Sequence, residues 1–146
     1  FAVGHSVTLL YGVLSGTHVN PYLVDAVIGF SVVYKALDNL GAFQRWFGVQ
    51  PDQRGAVFAF GLIHGFGLAT KLQDFALPRA GLAPKIVAFN AGVEIGQLVA
   101  LAGILIAMAY WRRTDAFSRQ AFAANVVVMT CGFVLMGYQL TGWFVS

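Results

Sequence analysis

Three side chains able to ligate a metal ion, His5, His64 and Glu94, each stand inside a long apolar run of this 146-residue chain. Imidazole and carboxylate can bind a cation there, or they can do the simpler work of hydrogen bonding one membrane helix to another. The surroundings of Glu94 add to its interest. In FNAGVEIGQ, Asn90, Glu94 and Gln97 fall at i, i+4 and i+7 and form one polar stripe of a helix, while Gly92 and Gly96 make a GxxxG pair on the opposite face. Two more carboxylates, Asp25 and Asp38, belong to another apolar run. There Ser31, Tyr34, Lys35 and Asp38 share a face, and Lys35 with Asp38 has the i, i+3 spacing of an ion pair.

The elements that must position these groups are membrane helices. Hydrophobic residues make up 58% of the chain and charged residues only 10%, against about 25% charged in a soluble domain. The expected fold is all-α, a single polytopic transmembrane bundle over residues 1–146, with five stretches at 1–16, 21–41, 55–73, 83–111 and 120–145. A crossing takes about 20 residues, so the first stretch is short and is expected to be truncated, the chain being a fragment of a longer one. SGTHVNP, FGVQPDQRG, LPRAGLAP and WRRTDAFSR supply the turn formers, prolines and polar residues of the connectors. There is no low-complexity segment, and no internal repeat points to an inverted-repeat transporter. The single cysteine, Cys131, permits no intrachain disulfide.

Charge placement sets an expected orientation. Arg45, Arg54, Arg112, Arg113 and Arg119 lie in the 2–3 and 4–5 connectors, against Lys71, Arg79 and Lys85 on the other side, which puts the former in the cytoplasm and the carboxyl terminus outside. Trp46, Trp111 and Trp143 fall near helix ends, where indole favours the interface. The net charge of +3 is distributed among these connectors and forms no continuous patch, so nucleic acid is not expected as a partner; the lipid bilayer is.

At 1.5 Å per residue, His5, His64 and Glu94 each come to lie roughly 14–17 Å below the outer helix ends, close to the midplane. Asp25 lies about 6 Å below the outer end of its helix and Asp38 about 25 Å below it, so a polar track from Asp25 through the midplane to Asp38 is geometrically open. Gly61 with Gly65 and Gly12 with Gly16 have GxxxG spacing, which brings backbones close. A carboxylate at the bilayer centre is costly, and Glu94 is therefore expected to face a partner or a cavity.

The segments FAVGHSVTL, VDAVIGFSVVYKALDNL, FGLIHGFGLA and FNAGVEIGQL, in this order, resemble the HupE/UreJ proteins, bacterial membrane proteins associated by name with hydrogenase and urease accessory genes. The likeness runs over nearly the whole chain. It implies an additional upstream helix of histidine and aspartate signature, absent from this sequence, and places Asp25 and Asp38 where Glu is common. It carries His5, Ser6, Asp38, Asn39, His64, Asn90, Glu94 and Gln97 into consideration, with Ser6, Asp25, Asp38, Asn39, Asn90 and Gln97 as pathway or supporting residues around a metal site of His5, His64 and Glu94.

What the resemblance implies is transport of a divalent transition metal as substrate, nickel or a similar ion such as Co, Zn or Cu, in a bacterial inner membrane. Histidine and carboxylate ligands suit those ions without the thiolates that would trap them, and ligand deprotonation allows coupling to a proton gradient. Other classes stay open. The chain is alternatively a noncatalytic structural or accessory subunit of a larger membrane assembly, among other membrane subunits. A haem b protein with His5 and His64 as axial ligands, and an intramembrane metal hydrolase, rank lower; no HExxH signature is present, and no enzyme activity is expected.

Overall fold

Local capping explains where the helices begin and end. The computed structural model describes residues 1–75 and 81–146. Arg79, counted above in the charge balance, lies outside the described residues. Helix α1, Ala2–Ser15, ends at Gly16. Helix α2, Pro21–Asn39, starts with proline at its first position and with Asn20 accepting from the backbone N–H groups of Tyr22 and Leu23. Asp52 does the same for Arg54 and Gly55 at the start of α4, Gln53–Asp74. Helices α5, Leu82–Trp111, and α6, Ala116–Val145, are joined by residues 112–115.

Among the described residues there are six helices and no strand, so the all-α expectation holds. The sixth is a short helix, α3, Ala42–Phe47, between the second and third expected stretches. It is bracketed by Gly41 at φ 68° and Gly48 at φ 67°, left-handed positions at which a side chain would be strained. Three helices, α4, α5 and α6, are long and apolar enough to cross a membrane. Helix α1 has only 14 residues, and α2, at 19 residues, carries Asp25, Lys35 and Asp38. These two therefore differ in kind from the other three, and five equivalent spans do not emerge.

The helices pair closely as α1 with α4 and α2 with α6, while α4 also lies against α2; α1 is the principal neighbour of α5. Helix α4 is thus central. Of its apolar window 28% is buried in the bundle, against none of the corresponding window of α5, whose apolar side chains are left for lipid. A small core of Leu9, Val13, Ala69 and Ile86 ties α1, α4 and α5 together.

Glycines set the closest approaches. A Cβ on Gly4 would stand 2.9 Å from the Phe58 carbonyl oxygen, and one on Gly65 would collide with the Thr8 hydroxyl and the His5 carbonyl. Gly29 of α2 and Gly132 of α6 meet in the same way, a Cβ on either lying 2.9 Å from the other's carbonyl oxygen. The GxxxG reading of Gly61 and Gly65 is therefore correct, and Gly12 packs on Ala69. Gly16 instead caps its helix, and among the described residues nothing comes within 4 Å of a Cβ added at Gly92 or Gly96. The polar stripe of α5 turns inward, so its glycine face, on the opposite side, points away from the bundle. Trp111 ends α5 and Trp143 sits near the end of α6, as interfacial residues should.

Candidate functional site

The tight α1–α4 seam brings two histidines together. His5 is only 4% exposed, and the Thr8 hydroxyl one turn later crosses the seam to donate to the Leu62 carbonyl at 2.7 Å. Phe1 lies against both imidazoles, stacked over His5 at 6.0 Å between ring centroids and edge-on to His64 at 5.0 Å. The Nδ1 of His64 is 2.8 Å from the Phe60 carbonyl, which can only accept. His64 Nδ1 is therefore the donor in this bond. His5 Nδ1 is buried without a partner among the described residues, an arrangement that costs about 1–3 kcal/mol unless something else satisfies it.

Helix α5 attaches to this seam through a polar chain. Asn90 Nδ2 donates to the Ser6 hydroxyl at 3.0 Å, and Ser6 donates in turn to Oε1 of Glu94. The side-chain oxygen of Asn90, Oδ1, is a second buried atom with no partner among the described residues. His5 lies within electrostatic range of both Glu94 and His64. Glu94 thus faces polar groups, as its depth requires, and Asn90 and Gln97 are half-buried on the same side of α5.

Two cavities flank His64. One, of about 230 Å³, is bordered by His5, His64, Asp25, Lys71 and Gln97. The other, of about 200 Å³, is bordered by His64, Ser31, Tyr34, Lys35, Asp38 and Gln53. Each has room for several waters, whose share of liquid volume is about 30 Å³. Phe1 and His64 line both, so the imidazole stands between a compartment holding Asp25 and one holding Asp38.

Other expectations are not met. Among the described residues no three His, Cys, Asp or Glu side chains are placed to hold one metal ion, so His5, His64 and Glu94 do not form a shared ligand set. Asn39 borders neither cavity and bonds Asn125 of α6 at 3.0 Å. The site also includes a residue that sequence reasoning counted only as a topological charge. Lys71, near the end of α4, places its ammonium 3.0 and 2.9 Å from the two oxygens of Asp25, with Gln139 of α6 at 3.5 Å. Its pairing joins distant segments, which no local spacing reveals.

A family model described as HupE / UreJ protein matches residues 1–146, the whole chain. Neither a curated protein nor a solved structure gives a match.

Proposed function

The chain belongs to the HupE/UreJ family, and from that premise we propose that it conducts a divalent transition-metal cation, nickel or a similar ion, through the bilayer past His64. The observation that supports this most directly is the position of His64 between two cavities, each containing a carboxylate. A cation passing from Asp25 to Asp38 meets the His64 imidazole, which borders both cavities. His5 Nδ1 and the side-chain amide oxygen of Asn90 are buried polar atoms without a hydrogen-bond partner among the described residues. Single ligands met in succession bind weakly, and weak binding permits release. The absence of a three-ligand cluster among the described residues is compatible with passage and unlike a storage site.

The cytoplasmic face is the one that holds Arg112, Arg113 and Arg119, with the carboxyl terminus outside, in a bacterial inner membrane. A second reading has its own support. The Asn90–Ser6–Glu94 chain joins α5 to α1, and in a noncatalytic subunit that would be its whole purpose.

Replacement of His64 by Gln and of Glu94 by Gln, singly, separates the two. Nickel uptake into vesicles is measured alongside protein level and thermal unfolding. Uptake lost with folding intact supports passage. Uptake unchanged in both variants rejects it, and loss of folding in the His64 variant favours the structural reading, since Gln at position 94 still accepts from Ser6.

A further inference from the structure

Each of the two cavities beside His64 contains one carboxylate, and each carboxylate is already held by a lysine. Both oxygens of Asp25 are within 3.0 Å of the Lys71 ammonium. Asp38 receives the Lys35 ammonium at 2.7 Å on one oxygen and the Gln50 amide on the other. The burial of the partners is unequal in the same sense at both places. The Asp25 and Asp38 side chains are 19% and 1% exposed, whereas Lys71 and Lys35 are 50% and 48% exposed. The lysines therefore extend flexible stems inward from the surface, and each can withdraw its ammonium without dismantling the bundle.

We propose that Lys71 and Lys35 are tethered cations occupying the positions a travelling cation must take, so that a divalent ion enters each cavity by displacing an ammonium from its carboxylate. This rests on the passage reading above. The physical consequence is selection by charge. A monovalent ion replacing an ammonium brings no more charge to the carboxylate than it removes, while a divalent ion brings twice as much. The displaced lysine has somewhere to go, since half of its side chain is already exposed. When the ion moves on toward His64, the ammonium returns and neutralises the carboxylate, which keeps the empty cavity from holding an uncompensated charge. Gln139 beside Asp25 and Gln50 beside Asp38 donate to the carboxylate without adding charge, and so steady it during the exchange.

The test uses the full chain, purified and also reconstituted in vesicles, with Ni²⁺ and Na⁺ as probes. Lys71→Gln is expected to lower the Ni²⁺ concentration for half-maximal binding by about fivefold, the scale of a half-exposed ion pair, and to make binding sensitive to Na⁺ where the unaltered protein is not. The double variant Asp25→Asn with Lys71→Gln is expected to lose that gain. A second measurement needs no variant. If Ni²⁺ displaces the ammonium, acylation of Lys71 by an amine-directed reagent, followed by mass spectrometry, is faster with Ni²⁺ than without. Unchanged affinity in Lys71→Gln, or unchanged Lys71 reactivity on adding Ni²⁺, in a protein that does take up nickel overturns the proposal and leaves the passage reading standing. A protein that neither binds nor takes up Ni²⁺ overturns both.

Discussion

Ser6 of α1 donates its hydroxyl to Glu94 of α5, and the same hydroxyl accepts from Asn90 at 3.0 Å. One small side chain thus connects two polar residues of α5 to the helix that is its principal neighbour. Ser6→Ala removes both bonds. The expected cost is about 1–2 kcal/mol for a hydrogen bond between helices in lipid, read as a lower unfolding temperature in detergent. Glu94→Gln keeps an oxygen that accepts from Ser6, so it should unfold close to the unaltered protein. A Glu94→Gln protein as unstable as Ser6→Ala would mean that the carboxylate charge itself holds α5 in place.

The glycines make a sharper contrast. Gly65→Leu forces a side chain into the Thr8 hydroxyl and the backbone of His5, where neither helix can yield without opening the seam. Overpacking of this kind costs about 1–3 kcal/mol, and here it also separates the two histidines. Gly92→Leu enters open space beside lipid and should leave the unfolding temperature within a degree or two. Equal destabilisation by the two would mean that the Gly92 face is covered by something that binds it.

The sequence made much of this legible because membrane helices are written in hydropathy and spacing. The long apolar runs of α4, α5 and α6, the inward stripe of Asn90, Glu94 and Gln97, and the Gly61–Gly65 approach were all readable from periods of three and four residues. What remained hidden depends on which helices meet. Gly92 and Gly96 have the same spacing as Gly61 and Gly65, yet one pair is buried against α1 and the other is open. Spacing encodes a face and not its occupant. Lys71 pairs with Asp25 from 46 positions away, so its role became visible only once α4 lay against α2. The short helix α3 was missed because six residues are too few for periodicity, although its flanking glycines mark its ends.

The pair Lys35 and Asp38 should respond unequally to neutralisation. Asp38→Asn leaves a lysine half in contact with the surroundings, free to turn outward, and its cost is small, below about 1 kcal/mol. Lys35→Met leaves a carboxylate that is 1% exposed with Gln50 as its remaining donor. A buried carboxylate deprived of its counter-ion costs several times more, about 3 kcal/mol, unless it takes up a proton. Unfolding midpoints of the two variants check the order, and Asp38→Asn as the more damaging change would show that the carboxylate matters for reasons other than its pairing with Lys35.

Topology can be tested at the two ends of α6. The helix runs 30 residues from Ala116 to Val145, about 45 Å at 1.5 Å per residue, which exceeds the hydrocarbon core of about 30 Å. Its ends should therefore lie in opposite aqueous phases. The turn at 112–115 carries Arg112 and Arg113 and is followed by Arg119, whereas the last turn of α6 contains no basic residue. From that asymmetry the turn is expected in the cytoplasm and Ser146 outside. Cys131 is the only native thiol, so Cys131→Ser gives a background into which Thr114→Cys and Ser146→Cys are introduced separately. A membrane-impermeant maleimide applied to intact cells should label Cys at position 146 and leave position 114 unlabelled until the membrane is opened. Labelling of 114 alone would reverse the orientation and retain the crossing. Labelling of both from outside would show that α6 does not span, and with it would go the bundle geometry that sets His64 between the two carboxylate cavities.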